Sequence, residues 1–67
     1  MNYEKVLLRL YLDIISSKSS EVALNFAIGK AYGYIYALHD TSIMDDDDYC
    51  YYNSWIKTLT AVCEGDN

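Results

Sequence analysis

The sequence predicts an all-α fold, a small three-helix bundle or a helical hairpin carrying a third helix, and three observations support that prediction. Proline is absent, and the three glycines are Gly29, Gly33 and Gly65, so nothing divides the chain into short strands joined by tight turns. Apolar residues recur at three- and four-residue spacing in three separate stretches. Two polar connections part these stretches, one built of serines and one running into four aspartates. The length of 67 residues allows a single domain over 1–67, with helices expected at about 2–16, 20–39 and 46–63.

In the first helix Tyr3, Leu7, Leu10 and Ile14 form the apolar stripe, and Val6, Tyr11 and Ile15 widen it. Glu4, Lys5, Arg9 and Asp13 fall elsewhere on the wheel, with Arg9 and Asp13 at the i, i+4 spacing of an ion pair. Leu8 and Leu12 are apolar surplus to the stripe. Ser16 to Ser20, broken only by Lys18, ends the helix, because serine side chains compete for backbone hydrogen bonds and favour caps and turns. Ser19 is the expected N-cap of the next helix, with Glu21 facing the positive end of its dipole.

The second helix carries two apolar faces. Leu24, Ala27, Ile28, Ala31, Ile35 and Leu38 form one, and Val22, Phe26, Gly29, Gly33 and Ala37 form the nearly opposite one. A helix apolar on two sides is expected at the centre of the bundle. Gly29, Gly33 and Ala37, at i, i+4 and i+8, permit close approach of another helix, and each glycine costs about 1 kcal/mol relative to alanine. Tight packing inside the monomer and a dimer crossing are both open as the compensation, the first being favoured.

His39 to Met44 reads as the second connection. Asp45 is the expected N-cap of the third helix, Asp46, Asp47 and Asp48 occupy its anion-favouring first turn, and Met44 and Tyr49 hold the positions of a hydrophobic staple. Tyr49, Tyr52, Ile56, Leu59 and Cys63 continue the stripe with Trp55 and Val62 alongside, and Gly65 is the expected left-handed stop.

A domain this small has a thin stability margin and usually adds disulfides, a metal or oligomerisation. Cys50 and Cys63 lie about 20 Å apart along one helix at 1.5 Å per residue, too far for an intrachain disulfide. Two cysteines and one histidine without CxxC or HxxxH spacing argue against a structural zinc, so no metal and no cofactor is expected. Homo-oligomerisation, most simply a homodimer, is left. Free thiols and the lack of a signal-peptide pattern point to the cytoplasm. The apolar run Val22 to Leu38 is interrupted by Asn25 and Lys30 and is too short for the roughly 20 residues of a bilayer span. The net charge of −5 argues against direct nucleic-acid binding and favours a partner with a basic surface.

Catalysis finds little support. His39 beside Asp40 imitates part of a triad, but no serine or cysteine stands in a nucleophile setting, and the thiols, expected to be buried or half-buried, lack basic neighbours. Counted from Asp45, positions six and twelve of a calcium loop are Cys50 and Ile56 instead of glycine and glutamate, which excludes an EF-hand. Eight tyrosines are more than a thin core accommodates. Tyrosine is enriched at interfaces because its ring buries area while its hydroxyl keeps a polar partner. Asp40, Asp45, Asp46, Asp47, Asp48, Tyr49, Tyr51 and Tyr52 therefore form the candidate partner-binding surface; that these rings merely roof the core is the competing reading. Leu8, Leu12, Gly29, Gly33 and Ala37 are the candidate helix-packing or dimer residues.

The stretch Ala31-Tyr32-Gly33-Tyr34-Ile35-Tyr36-Ala37-Leu38, with Ile43 and then Asp45-Asp46-Asp47-Asp48-Tyr49, resembles a helix–loop–acidic-helix pattern of small proteins from phages and mobile elements of Gram-positive bacteria. The resemblance covers about half the chain and transfers no site residue. Some of that class are anti-CRISPR or other anti-defence inhibitors, small, acidic and often dimeric. It implies an inhibitor acting in the host cytoplasm on a nucleic-acid-handling or defence protein. The expected function is thus a non-enzymatic protein-binding module. The alternative is a self-assembling structural or regulatory subunit.

Overall fold

A computed structural model describes residues 3–65, so the helix start expected at residue 2 lies outside the described residues. Three helices follow in order, α1 (Tyr3–Ser16), α2 (Glu21–Asp40) and α3 (Asp46–Gly65). Among the described residues there is no strand. The short connections make consecutive helices antiparallel neighbours, and the result is a three-helix bundle of 36 × 17 × 16 Å. α2 packs extensively against both other helices, which meet each other less, so it is the central helix as expected, but through one of its two apolar faces only.

The core follows the apolar stripes. Leu7, Leu10 and Ile14 enter from α1, Leu24, Ala27, Ala31, Ile35 and Leu38 from α2, and Ile56 and Cys63 from α3. Met44 drops in from the second connection. Leu7, Ile14, Ile35, Met44 and Ile56 are the largest fully buried side chains, each stabilising the fold by about 1.5–3 kcal/mol. Tyr11, Tyr32, Tyr34, Tyr49 and Tyr52 pack partly buried around this centre.

The first connection ends one residue later than expected. Backbone bonds from Ser17 to Asp13, from Lys18 to Ile15 and from Ser20 to Ser17 wind the chain on in a closing turn. The first extended residue is therefore Ser20, at φ −130°, and Ser20 rather than Ser19 is the N-cap, its Oγ accepting the Ala23 N–H at 3.3 Å. Asp13 pairs across the helices with Lys30 at 3.6 Å instead of along α1 with Arg9. Both side chains are about half exposed, so the pair is worth about 0–1 kcal/mol.

At the second connection α2 runs one residue past its expected end, to Asp40, so that His39, read as the junction of helix and connection, lies within the last turn of the helix. Thr41 closes it, with its N–H and its Oγ1 both bonded to the Ala37 carbonyl, at 3.1 and 2.8 Å. The chain then reverses through Ser42 at φ 65°. The Ile43 and Met44 N–H groups reach back to the Leu38 carbonyl at 2.9 and 3.1 Å, which seats Met44 in the core. Asp45 caps α3 as expected, its Oδ1 accepting the Asp48 N–H at 2.8 Å. Gly65 is not a left-handed stop: α3 runs through it without positive φ, glycine permitting that conformation without requiring it.

The second apolar face of α2 corrects the expectation of tight packing inside the monomer. Val22 is 82% exposed and Phe26 71%, and a methyl group added at Gly29 or Gly33 would meet nothing within 4 Å. Two neighbours in a three-helix bundle cover one side of a helix, and at 3.6 residues per turn this face lies opposite Leu24, Ala31 and Ile35. The Lys30 ammonium lies over the Phe26 ring, 5.9 Å from its centroid. Of the thiols, Cys63 is buried but Cys50 is exposed, because it falls outside the α3 stripe.

Candidate functional site

The up-down-up path brings the start of α1, the end of α2 and the start of α3 to one end of the bundle, and all the candidate acids gather there. Most of them hold the fold. Asp45 caps α3. The Asp46 carboxylate accepts from His39 Nε2, tying α3 to α2, and His39 stacks on Tyr49 with centroids 4.3 Å apart. Asp48 accepts from the Tyr3 hydroxyl at 2.8 Å, tying α3 to α1. That bond, strengthened by the Asp48 charge, pushes the Tyr3 hydroxyl up to about 12. Asp40, Asp45, Asp46 and Asp47 remain exposed to solvent, so the end keeps a strongly negative rim.

From this rim an aromatic series runs along the α1–α3 side. Tyr3 meets Tyr52 edge-on at 6.0 Å, Tyr52 meets Tyr51 at 5.1 Å, and Tyr51 meets Trp55 at 6.4 Å. Trp55 then stacks on Tyr11 at 6.1 Å, closing the series back onto α1. Leu8 and Leu12 continue the surface at 59% and 57% exposure, and Trp55 is 50% exposed. A shallow cleft of about 310 Å³ lies between Leu8, Tyr11, Tyr51, Tyr52 and Trp55, with Glu4 on its edge. A second, of about 260 Å³, opens on the far side of Trp55 against Ser54 and Thr58. Burial pushes the Tyr11 hydroxyl up to about 12, and this hydroxyl is buried without a hydrogen-bond partner. Burial raises Tyr52 as well.

The candidate partner-binding residues thus divide. Asp40, Asp45, Asp46, Asp47, Asp48 and Tyr49 belong to the acidic end, and Tyr51 and Tyr52 belong to the aromatic face. Leu8 and Leu12, candidates for helix packing, join that face, whereas Gly29, Gly33 and Ala37 lie on the exposed side of α2. Sequence reasoning missed Trp55, which reads as core by its spacing. Its position one residue ahead of Ile56 was the available signal, since a residue 100° from the core centre lies at the edge of a two-neighbour helix.

Among the described residues no group of three or more histidine, cysteine, aspartate or glutamate side chains is placed to hold a metal ion. No helix there is long and apolar enough to cross a membrane. No family model, curated protein or solved structure matches the chain.

Proposed function

We propose that this chain is a non-enzymatic protein-binding module that docks a partner against the aromatic α1–α3 face, with the acidic end steering a basic partner into place. The observation that carries this reading is the exposed Trp55, set with Tyr51, Tyr11 and Leu8 around a shallow cleft. Tryptophan and tyrosine set in such clefts are the residues that dominate binding energy at interfaces. The exposed Asp40, Asp45, Asp46 and Asp47 next to this face favour fast association with a positively charged surface, weakened by salt. Occlusion of a basic surface on a host nucleic-acid-handling or defence protein, the mode implied by the phage-protein resemblance, is the form of binding this charge serves best. Two free thiols fit action in a reducing cytoplasm.

The test is affinity capture from the cells in which the protein acts, at low and high salt, with wild type, Trp55→Ala, Leu8→Glu and the distant-face variant Phe26→Ala. A stoichiometric partner held by wild type and Phe26→Ala, lost by the other two and weakened by salt is the expected result. Equal capture by all four proteins removes this face from the account.

A further inference from the structure

The exposed side of α2 is a second apolar surface, distant from the α1–α3 cleft and independent of it. We infer that it is a homodimer interface, in which two copies of α2 cross antiparallel with Phe26 of each copy seated on the partner's Gly33. Along the centre line of this face the side chains divide by size, with the exposed Tyr36 on its flank. Val22 and Phe26, the most exposed large apolar residues, occupy the N-terminal half of the face. Gly33 and Ala37 occupy the C-terminal half at the same four-residue spacing. A two-fold axis passing between residues 29 and 30 opposes Phe26 to the partner's Gly33 and Val22 to the partner's Ala37. Large residues then fill small ones along the line of contact, and the arrangement closes as an isologous dimer. Gly29 lies at the axis, where the backbones come nearest, and the space above Gly29 and Gly33 is open to receive the second helix.

Charge selects the same direction. Asp40 ends the face, and in the antiparallel pairing it lies beside the N-terminus of the partner's α2, where the helix dipole favours an anion. Glu21 points about a third of a turn away from the contact at 100° per residue. A parallel pairing sets Asp40 against its own copy, opposes Phe26 to Phe26 and leaves Gly33 facing Gly33 across a gap. Area also suffices. A helix of 20 residues is about 30 Å long. Crossing its copy near-antiparallel, it buries on the order of 1,000 Å² in total, the lower bound for a specific interface.

Sedimentation equilibrium and disulfide mapping in a Cys50→Ser background test this. Wild type is expected to dimerise reversibly, and Phe26→Ala, which removes the ring from both copies, to weaken association on the order of 100-fold or more. Gly33→Leu is expected to abolish the dimer while the far-ultraviolet circular dichroism of the monomer stays helical, which separates association from folding. Gly29→Cys should cross-link to itself; Val22→Cys should not, but should cross-link to Ala37→Cys when the two are mixed. A wild type that stays monomeric up to millimolar concentration overturns the inference. So does a Gly33→Leu protein that still dimerises, or ready self-cross-linking of Val22→Cys.

Discussion

Replacing both Gly29 and Gly33 by alanine should stabilise the isolated monomer, although two residues of its longest apolar stretch are changed. Both glycines sit inside α2 with no positive φ, and a methyl group at either position meets nothing within 4 Å. No packing term therefore opposes the gain in helix propensity, about 0.8–1.0 kcal/mol per site. The sites lie on successive turns, but each change adds only one methyl group that meets no neighbour, so the propensity gains sum to about 2 kcal/mol. For a domain of this size each kcal/mol moves Tm by about 4–8 °C, giving a rise of about 8–16 °C. Thermal unfolding followed by circular dichroism on dilute protein reads the monomer alone. An unchanged or lower Tm there refutes the reasoning, because it means that the glycines are packed against something within the chain. At high concentration the gain should shrink, since the added methyl groups intrude on the self-association face.

Ser42 holds a left-handed backbone at φ 65°, so Ser42→Gly should raise stability by about 0.5–1 kcal/mol, the relief of that conformation less the added freedom of the unfolded chain; urea titration checks it. Tyr11→Phe removes a buried hydroxyl that has no partner while keeping the ring on Trp55, and should stabilise by about 1 kcal/mol in the same assay. Raised tyrosine pKa values make the fold sensitive to alkali. With Tyr3 and Tyr11 pushed from 10.0 up to about 12, their contribution is complete below pH 10 and is lost as pH rises toward 12, because the unfolded chain releases those protons first. Urea midpoints should fall across that window, and fall less in Tyr3→Phe/Tyr11→Phe; parallel profiles contradict the assignment.

The three helices were legible because each stripe keeps helical spacing and each connection is polar. Asp45 was legible as a cap because its carboxylate needs only the local Asp48 N–H. Ser20 was not, since choosing among Ser16, Ser17, Ser19 and Ser20 depends on how far α1 winds before the chain extends, which tertiary packing decides. The double face of α2 led to its central place for the wrong reason, since both neighbours cover the Leu24, Ala31 and Ile35 side and the second face stays exposed. At the candidate site the composition of the acidic end could be read directly, but the structural duties of Asp46 and Asp48 could not. Their partners His39 and Tyr3 lie 7 and 45 positions away. Trp55 was hidden for a related reason: a wheel gives its angle from Ile56, and only the positions of α1 and α2 determine whether that angle is covered.

Trp55 is the single tryptophan of the chain and stands in the face proposed to bind, so its fluorescence tests the central claim most directly. Titration with the captured partner, in the presence of acrylamide, follows its exposure. Docking on the α1–α3 face predicts a blue-shifted emission and protection from quenching, both saturating at stoichiometric partner and both absent with Leu8→Glu. Tight binding that leaves emission and quenching unchanged contradicts the account, because the partner then sits elsewhere on the molecule.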